Sequence, residues 1–329
     1  MKNYIPPFDV TNETFELIYE ILVKMAKLEN YSGIIKMPNL RKSNRIDAIH
    51  SSLAIEANTL SYYEIENIVN GKMVDDNSKD IQEVKNAYEA YQKLDTINPF
   101  SLKEFKSIHK IMTNGILENA GIFRNTGEGV FSLNKCIFMA PPPEMVNSLM
   151  KQLFYYLNKN KNNIHPLVLS SIFHYELVFI HPFSDGNGRM ATLWQNSILK
   201  EWNDIYEYLP IETEIKESQN EYYEVIDICN KEGESTKFIV FMLKMISRAL
   251  SKLLIKTDRE LKINNENVEK LLNVLGDEVL STKDIMTRLK LNSVANFYKN
   301  YLNPALELKL ILKTEPNKKT SKKQKYYKV

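Results

Sequence analysis

Residues 165–180, HPLVLSSIFHYELVFI, constrain the fold more than any other stretch. Pro166 suits the first turn of a helix, where a missing N–H costs nothing. The run is apolar on nearly every side rather than along one stripe, so a helix built from it must be surrounded by protein. No apolar run in the chain approaches the roughly 20 residues needed to cross a bilayer. The reading is a buried central helix with no membrane span.

The rest of the chain supplies partners for it. In TNETFELIYEILVKMAKLE, Phe15, Ile18, Leu22 and Met25 fall on one helical face, with Thr11 or Asn12 available as N-cap. The spacing predicts further helices over 44–58, 78–94, 101–117, 141–159, 188–202, 218–231 and 234–256. Residues 123–143 differ: TGEG turn chemistry, two short apolar runs (Val130–Phe131 and Cys136–Met139) and then prolines predict a β-hairpin. The fold class is all-α with one small hairpin.

The tail changes character after 257–266. VEKLLNVLG is a helix stopped by Gly276. Ser281 and Asp284 form a capping-box signature. A third helix, 293–310, should break or kink at Pro304. Two short strands, 310–315 and 324–329, flank the basic turn PNKKTSKK. Three helices and a basic two-stranded wing predict a winged-helix-like domain. The expected division is an N-terminal helical region (1–98), a core domain (99–256) and this tail (266–329).

With 43% hydrophobic and 26% charged residues, the 329-residue chain can bury a sizeable core. A net charge of +2 does not mark the whole chain as a polyanion binder. Cys136 and Cys229 form neither a disulfide framework nor a metal-ligand spacing, and fit a reducing compartment. The N-terminus carries no apolar signal-peptide core. A cytoplasmic protein with no membrane association is expected.

The chemistry concentrates in the loop after the central helix, HPFSDGNGRM (181–190). Gly186 and Gly188 flank Asn187 at a helix start, where free N–H groups and a partial positive end make an anion hole. Arg189 adds a fork for phosphate oxygens. Asp185 can hold Mg²⁺, which binds through one or two carboxylates plus substrate phosphates. His181 is a candidate general base near neutral pH.

Residues 181–189 resemble the signature loop of Fic-domain proteins, His-Pro-Phe-x-Asp/Glu-Gly-Asn-Gly-Arg, at every position. Surrounding residues agree over roughly 100–255. The resemblance implies Mg²⁺-dependent transfer of AMP from ATP to a Ser, Thr or Tyr hydroxyl of a protein, itself among the candidates. It makes His181 the base and Asp185 the metal ligand. Gly186, Asn187 and Gly188 become the α-phosphate cradle, and Arg189 the holder of the distal phosphates. Pro182 and Phe183 would fix loop shape. Tyr222, Tyr223 and Asn230 match adenine-side positions, with a helix-core role as the alternative for the aromatic pair. Lys135, Cys136, Ile137 and Phe138 match a flap strand that pairs with target backbone. His174 matches a recurrent position and is read as a buried hydrogen-bonder. Gly186 stands where kinase members of the family carry Lys, which favours AMP transfer. Homodimers are also implied.

SSLAIEAN (51–58) resembles the family's inhibitory helix, with Ser52 and Glu56 matching and Ala57 in place of the usual Gly. In the family this glutamate pairs with a second arginine three residues after the first. Here that residue is Thr192, which cannot form an ion pair. Glu56 is left to pair with Arg189, with another group, or with nothing. Weak or absent inhibition is the expectation.

Two other readings stand beside AMP transfer. One is removal of AMP from a modified protein, with Glu56 aligning a water. The other is a nucleic-acid-binding regulator acting through residues 266–329.

Overall fold

The computed structural model describes residues 4–29, 38–75, 78–132, 135–263, 266–276, 278–307, 310–316 and 324–328. They divide into two compact units, 1–254 and 255–329.

The first unit begins with helices α1 (Asn12–Glu29), α2 (Pro38–Ile55), α3 (Tyr62–Val69), α4 (Ser78–Gln92) and α5 (Leu102–Met112). Strands β1 (Gly129–Ser132) and β2 (Lys135–Met139) follow. Then come α6 (Pro143–Asn160), α7 (Pro166–Ile180), α8 (Asn187–Trp202), a 3₁₀ turn (Asp204–Tyr208), α9 (Ile211–Glu217), α10 (Gln219–Glu232) and α11 (Thr236–Ile263), whose residues from 255 on belong to the second unit.

Helix α7 is the central helix the sequence predicts. Twelve of its fifteen residues are buried, so it contacts neighbours on all sides. Pro166 occupies its first turn, and the His165 ring accepts the Leu167 N–H at 3.2 Å. Its Phe173 packs against Phe105 and Phe154, and Trp194 joins them with its ring 4.9 Å edge-on from Phe105. Trp194 also donates its N–H to the Pro99 carbonyl at 2.9 Å, so its one polar atom is satisfied in the core. Truncating a packed aromatic of this kind costs about 3–5 kcal/mol.

Helix α1 corrects one expectation. Thr11 is its cap, taking the Thr14 N–H on its hydroxyl. The inward face carries Ile21, Met25 and Leu28, while Phe15 and Leu22 are exposed. Of the four residues the sequence places on one face, Met25 is buried and Ile18 packs partly buried against the core, so the buried stripe is shifted by part of a turn rather than reversed. Burial of Ile21, Met25 and Leu28 fixes which edge faces the core, and Lys24 beside them donates to Ser247 Oγ on α11 at 2.7 Å.

The hairpin forms where predicted. Val130 stands opposite Phe138 and Phe131 opposite Cys136, so Ile137 is the extra residue of a bulge.

The second unit contains α12 (Glu266–Leu275), β3 (Leu280–Ser281), α13 (Thr282–Arg288) and α14 (Val294–Phe297). A π turn (Tyr298–Leu302), α15 (Asn303–Glu307), β4 (Ile311–Lys313) and β5 (Lys325–Lys328) complete it. Its antiparallel sheet has the order β3–β5–β4, so the two strands predicted from the sequence are joined by a third, short one, Leu280–Ser281. Gly276 ends α12 at φ 50°, and Ser281 with Asp284 makes the capping box. Pro304 does not break the third helix. The widened π turn just before it accommodates a residue that offers no N–H to the preceding turn. Most of the basic turn, residues 317–323, lies outside the described residues. Among the described residues, no helix is long and apolar enough to cross a membrane.

Candidate active site

The loop between α7 and α8 is held by its own side chains. Helix α7 ends at His181, whose φ of 50° and ψ of 60° place it in the left-handed region. A non-glycine residue there is strained by roughly 1–2 kcal/mol and needs surrounding contacts to stay. Asn187 supplies one set. Its amide donates to the Phe183 carbonyl at 2.8 Å and accepts the Phe183 N–H at 2.9 Å. Phe183 is thereby fixed inward, stacked at 3.5 Å on the His109 ring. Gly186 turns the chain into α8 at φ 78°.

His109, from α5, props the loop from beneath. Its Nδ1 accepts the Gly121 N–H at 2.9 Å, so Nε2 carries the proton and donates to the Asp185 carbonyl at 3.0 Å. Burial lowers its pKa to about 4, which keeps this tautomer neutral.

Arg124 supplies the second clamp. Its backbone N–H donates to Pro182 O at 2.9 Å. Its buried guanidinium donates to His181 O at 2.6 Å, Ile180 O at 3.2 Å, Thr126 O at 2.8 Å and Pro141 O at 2.6 Å. One side chain thus ties both ends of the hairpin to the turn that carries His181. Neither Arg124 nor His109 was singled out from the sequence. Arg124 sits in FRNTGEG, and nothing in its spacing reveals that it collects carbonyls from four places.

The His181 ring hydrogen-bonds to the Val178 backbone. Burial lowers its pKa below the usual 6.5, and the nearby Arg124 charge acts in the same direction. It is therefore neutral at pH 7, the form a general base requires.

At the N-terminus of α8 stands a carboxylate from far away in sequence. Helix α2 stops at Ile55, and Ala57 takes a left-handed φ of 68°. Asn58 anchors this exit by donating to Glu83 Oε2 at 2.9 Å. Glu56, between them, projects onto α8. Its Oε1 accepts the Arg189 N–H at 3.1 Å, and its Oε2 pairs with Arg189 Nε. A Cβ on Gly188 would lie 2.8 Å from Glu56 Oε1, so only glycine permits this approach. Burial raises the Glu56 pKa, the Arg189 charge opposes that, and Asp185 adds to it.

Arg189 is only 2% exposed along its side chain. Besides Glu56 it meets Asp185 Oδ1 at 3.3 Å, while its Nη1 has no hydrogen-bond partner. A buried guanidinium nitrogen without an acceptor is costly and invites an anionic one. Asp185 itself is 40% exposed along its side chain and accepts the Gly186 N–H at 2.6 Å.

Thr192 turns away from Glu56. Its hydroxyl donates to the Arg189 carbonyl at 3.1 Å and, with Ser52, contacts the Tyr91 hydroxyl. Tyr91 donates to Glu212 Oε1 at 2.6 Å, and Asn196 donates to the same oxygen at 2.8 Å. A buried polar cluster therefore surrounds the position where a second arginine was expected. Ser52 belongs to this cluster rather than to the loop.

The α10 residues divide. Tyr222 is buried in the core, its hydroxyl donating to His174 Nε2 at 2.9 Å, and His174 Nδ1 meets Gln195 Oε1 at 2.6 Å. His174 is thus the buried hydrogen-bonder the sequence suggested. Tyr223 is 49% exposed. Asn230 accepts the Tyr175 hydroxyl proton at 2.9 Å. The backbone of Lys135, Cys136, Ile137 and Phe138 forms β2, and their side chains lie outside the described residues.

Comparison with known proteins gives the loop and the fold a common setting. Residues 99–199 match the Fic/DOC family, and residues 266–327 match the Fic-like C-terminal domain of filamentation-induced-by-cAMP proteins. A curated relative from Culex quinquefasciatus, named protein adenylyltransferase Fic, is 31% identical over 64% of this chain and 41% of its own length. One of the same name from Nematostella vectensis is 27% identical over 74% of this chain and 56% of its own. The chain thus spans only about half the length of these relatives. A crystal structure of a Fic family protein from Desulfovibrio desulfuricans G20 superposes with a TM-score of 0.74 at 36% identity, covering 99% of this chain and 98% of that one. With the likeness running through both units at that identity, this chain belongs to the Fic family.

Proposed function

We propose that the chain is an adenylyltransferase, moving AMP from ATP to a hydroxyl of a protein. The observation that carries this reading is the carboxylate of Glu56 seated on the N-terminus of α8 beside a guanidinium nitrogen without a partner. A site that already holds one anion against a helix-terminal backbone amide is suited to phosphate.

In this reading His181 takes the proton of the incoming hydroxyl, and the oxygen attacks the α-phosphorus in line. The new O–P bond forms as the bond to the β-phosphate oxygen breaks, and pyrophosphate leaves. The amides of Gly186, Asn187 and Gly188 face the α-phosphate, whose charge grows in the transition state. Arg189 holds the distal phosphates once Glu56 has moved aside. The Asn187 side chain keeps the loop in shape through Phe183. Tyr223 and Asn230 are the accessible adenine-side contacts, with Tyr222 fixing α10 to His174. Strand β2 pairs with the backbone of the target.

Among the described residues no cluster of three or more His, Cys, Asp or Glu forms a metal site. One half-exposed carboxylate, Asp185, is nonetheless the donor needed for a Mg²⁺ ion ligated mainly by phosphates. Such an ion would neutralise phosphate charge during the transfer.

Glu56 is then the built-in occupant that ATP must displace. The sequence expectation of weak inhibition rested on Thr192, but pairing with both the backbone and side chain of Arg189 supports strong inhibition. The same fixed carboxylate favours a second reading, removal of AMP with Glu56 orienting water.

Incubation of wild type, Glu56→Gly and His181→Ala with Mg²⁺ and ATP tests the assignment, with and without cell lysate. Protein-bound label from α-labelled ATP, absent with His181→Ala, supports it. Label from γ-labelled ATP instead makes the chain a kinase. Loss of AMP from a pre-modified protein supports the second reading.

A further inference from the structure

The end of α2, next to Glu56, is gripped by two side chains from α9 and α10. Leu53 O takes the N–H groups of Glu56 at 3.0 Å and of Asn58 at 3.1 Å, which closes the helix. The next two carbonyls are met from outside the segment. Lys216 of α9 donates to Ala54 O at 2.8 Å, and Gln219, the first residue of α10, donates to Ile55 O at 3.2 Å. A helix leaves its last carbonyls unpaired and its end partly negative, so an ammonium group and an amide N–H are the groups that fit there.

The two side chains also fix each other. Lys216 donates to Gln219 Oε1 at 2.8 Å. A lysine has only hydrogens to offer, so the Gln219 amide oxygen faces it and the amide nitrogen faces α2. That nitrogen also donates to the Tyr223 hydroxyl at 3.3 Å, which ties the clasp to an exposed ring of α10. Glu214 and Glu217, the carboxylates of α9 that flank Lys216, are paired with Lys252 of α11 at 2.8 and 2.6 Å. The Lys216 charge is thus directed at a helix end rather than at a neighbouring acid. Glu56 follows Ile55 directly. On its other side Asn58 is tied to Glu83, after the left-handed turn at Ala57. The carboxylate therefore reaches Arg189 from a backbone pinned on both sides, and the clasp is the pin nearer in sequence.

We propose that Lys216 and Gln219 are positioning residues for Glu56: their clasp on the last carbonyls of α2 holds the carboxylate against Arg189, and loosening it frees the site. The inference rests on the adenylyltransferase reading only for what Glu56 then blocks.

Hydrogen exchange on the full chain without nucleotide tests the grip, read on peptides spanning 53–58 and 186–192. Lys216→Met keeps the aliphatic stem and loses the donors. Exchange in both peptides should quicken about tenfold, while α7 exchanges as in wild type. Gln219→Leu should act in the same direction. AMP transfer should rise about fivefold with Lys216→Met, and should not change when Lys216→Met is added to Glu56→Gly. Unchanged exchange in the two peptides with both variants overturns the proposal, as does faster exchange throughout α7. So does a transfer rate indifferent to Lys216→Met while Glu56→Gly raises it, or one raised equally with and without Glu56. Absence of transfer in every variant counts against the adenylyltransferase reading instead, and the exchange result then decides the clasp alone.

Discussion

Glu56 meets Arg189 twice, through the backbone N–H at 3.1 Å and through the guanidinium Nε of the same residue. The two residues are 133 positions apart, yet one carboxylate caps the helix and neutralises the arginine that opens it. Glu56→Gly removes both contacts and empties the space over Gly188. AMP transfer should rise at least about tenfold, equivalent to about 1.4 kcal/mol of ATP binding recovered from competition. Steady-state kinetics on protein-bound AMP checks this. An unchanged rate would mean that Glu56 leaves without cost and that the weak inhibition expected from Thr192 is correct.

The protonation state of His181 predicts the acid side of the rate profile. Its pKa lies below 6.5, so the neutral base is already present at pH 7. In the Glu56→Gly background, kcat/KM should be level from neutral pH upward and fall as pH drops through the lowered pKa. A profile that still climbs above pH 7 contradicts the buried, neutral imidazole.

Arg124 holds His181 through carbonyls rather than through substrate. Arg124→Lys replaces a fork that reaches four carbonyls with a single ammonium. We expect kcat to fall about ten- to a hundredfold, in line with losses from misplacing a catalytic group, with little change in KM for ATP. A larger effect on KM than on kcat would assign Arg124 to nucleotide binding instead.

Glu212 carries a stability signature. Burial raises its pKa from 4.5 to about 7, and Oε2 has no partner. The folded state binds a proton that the unfolded state has lost between these two values. Stability therefore falls as pH rises from about 4.5 to about 7 and levels above that. Glu212→Gln keeps the acceptor oxygen and cannot ionise. Its denaturation midpoint should vary less with pH over that window than that of wild type. Equal slopes would show that Glu212 contributes nothing to it. Glu176 has a pKa also raised to about 7, so a residual slope is expected in the variant.

The loop and the central helix were legible because their information is local. His181, Asp185 and Arg189 lie within nine residues, and the Pro166 start and all-round apolarity of α7 are properties of one segment. Glu56 was recognisable as a motif, but its partner was not. Whether it reaches Arg189 depends on the left-handed turn at Ala57 and on Gly188 leaving room. The buried edge of α1 was half read: Ile18 and Met25 pack inward while Phe15 and Leu22 do not, because Ile21 and Leu28 share the same period and the edge that is covered depends on helices elsewhere in the chain. Arg124, His109 and the Tyr91–Glu212 pair were invisible for the same reason. Each works through contacts that only the assembled fold brings together.

The central claim is that this site transfers AMP, with His181 as base and Glu56 as the resident anion. The most direct measurement compares protein-bound label from α-labelled ATP in Glu56→Gly and in Glu56→Gly/His181→Ala. The account predicts strong labelling in the first and loss of at least about 99% of it in the second, as expected when a general base is removed. Equal labelling in both, or none in either while the protein remains folded, contradicts it.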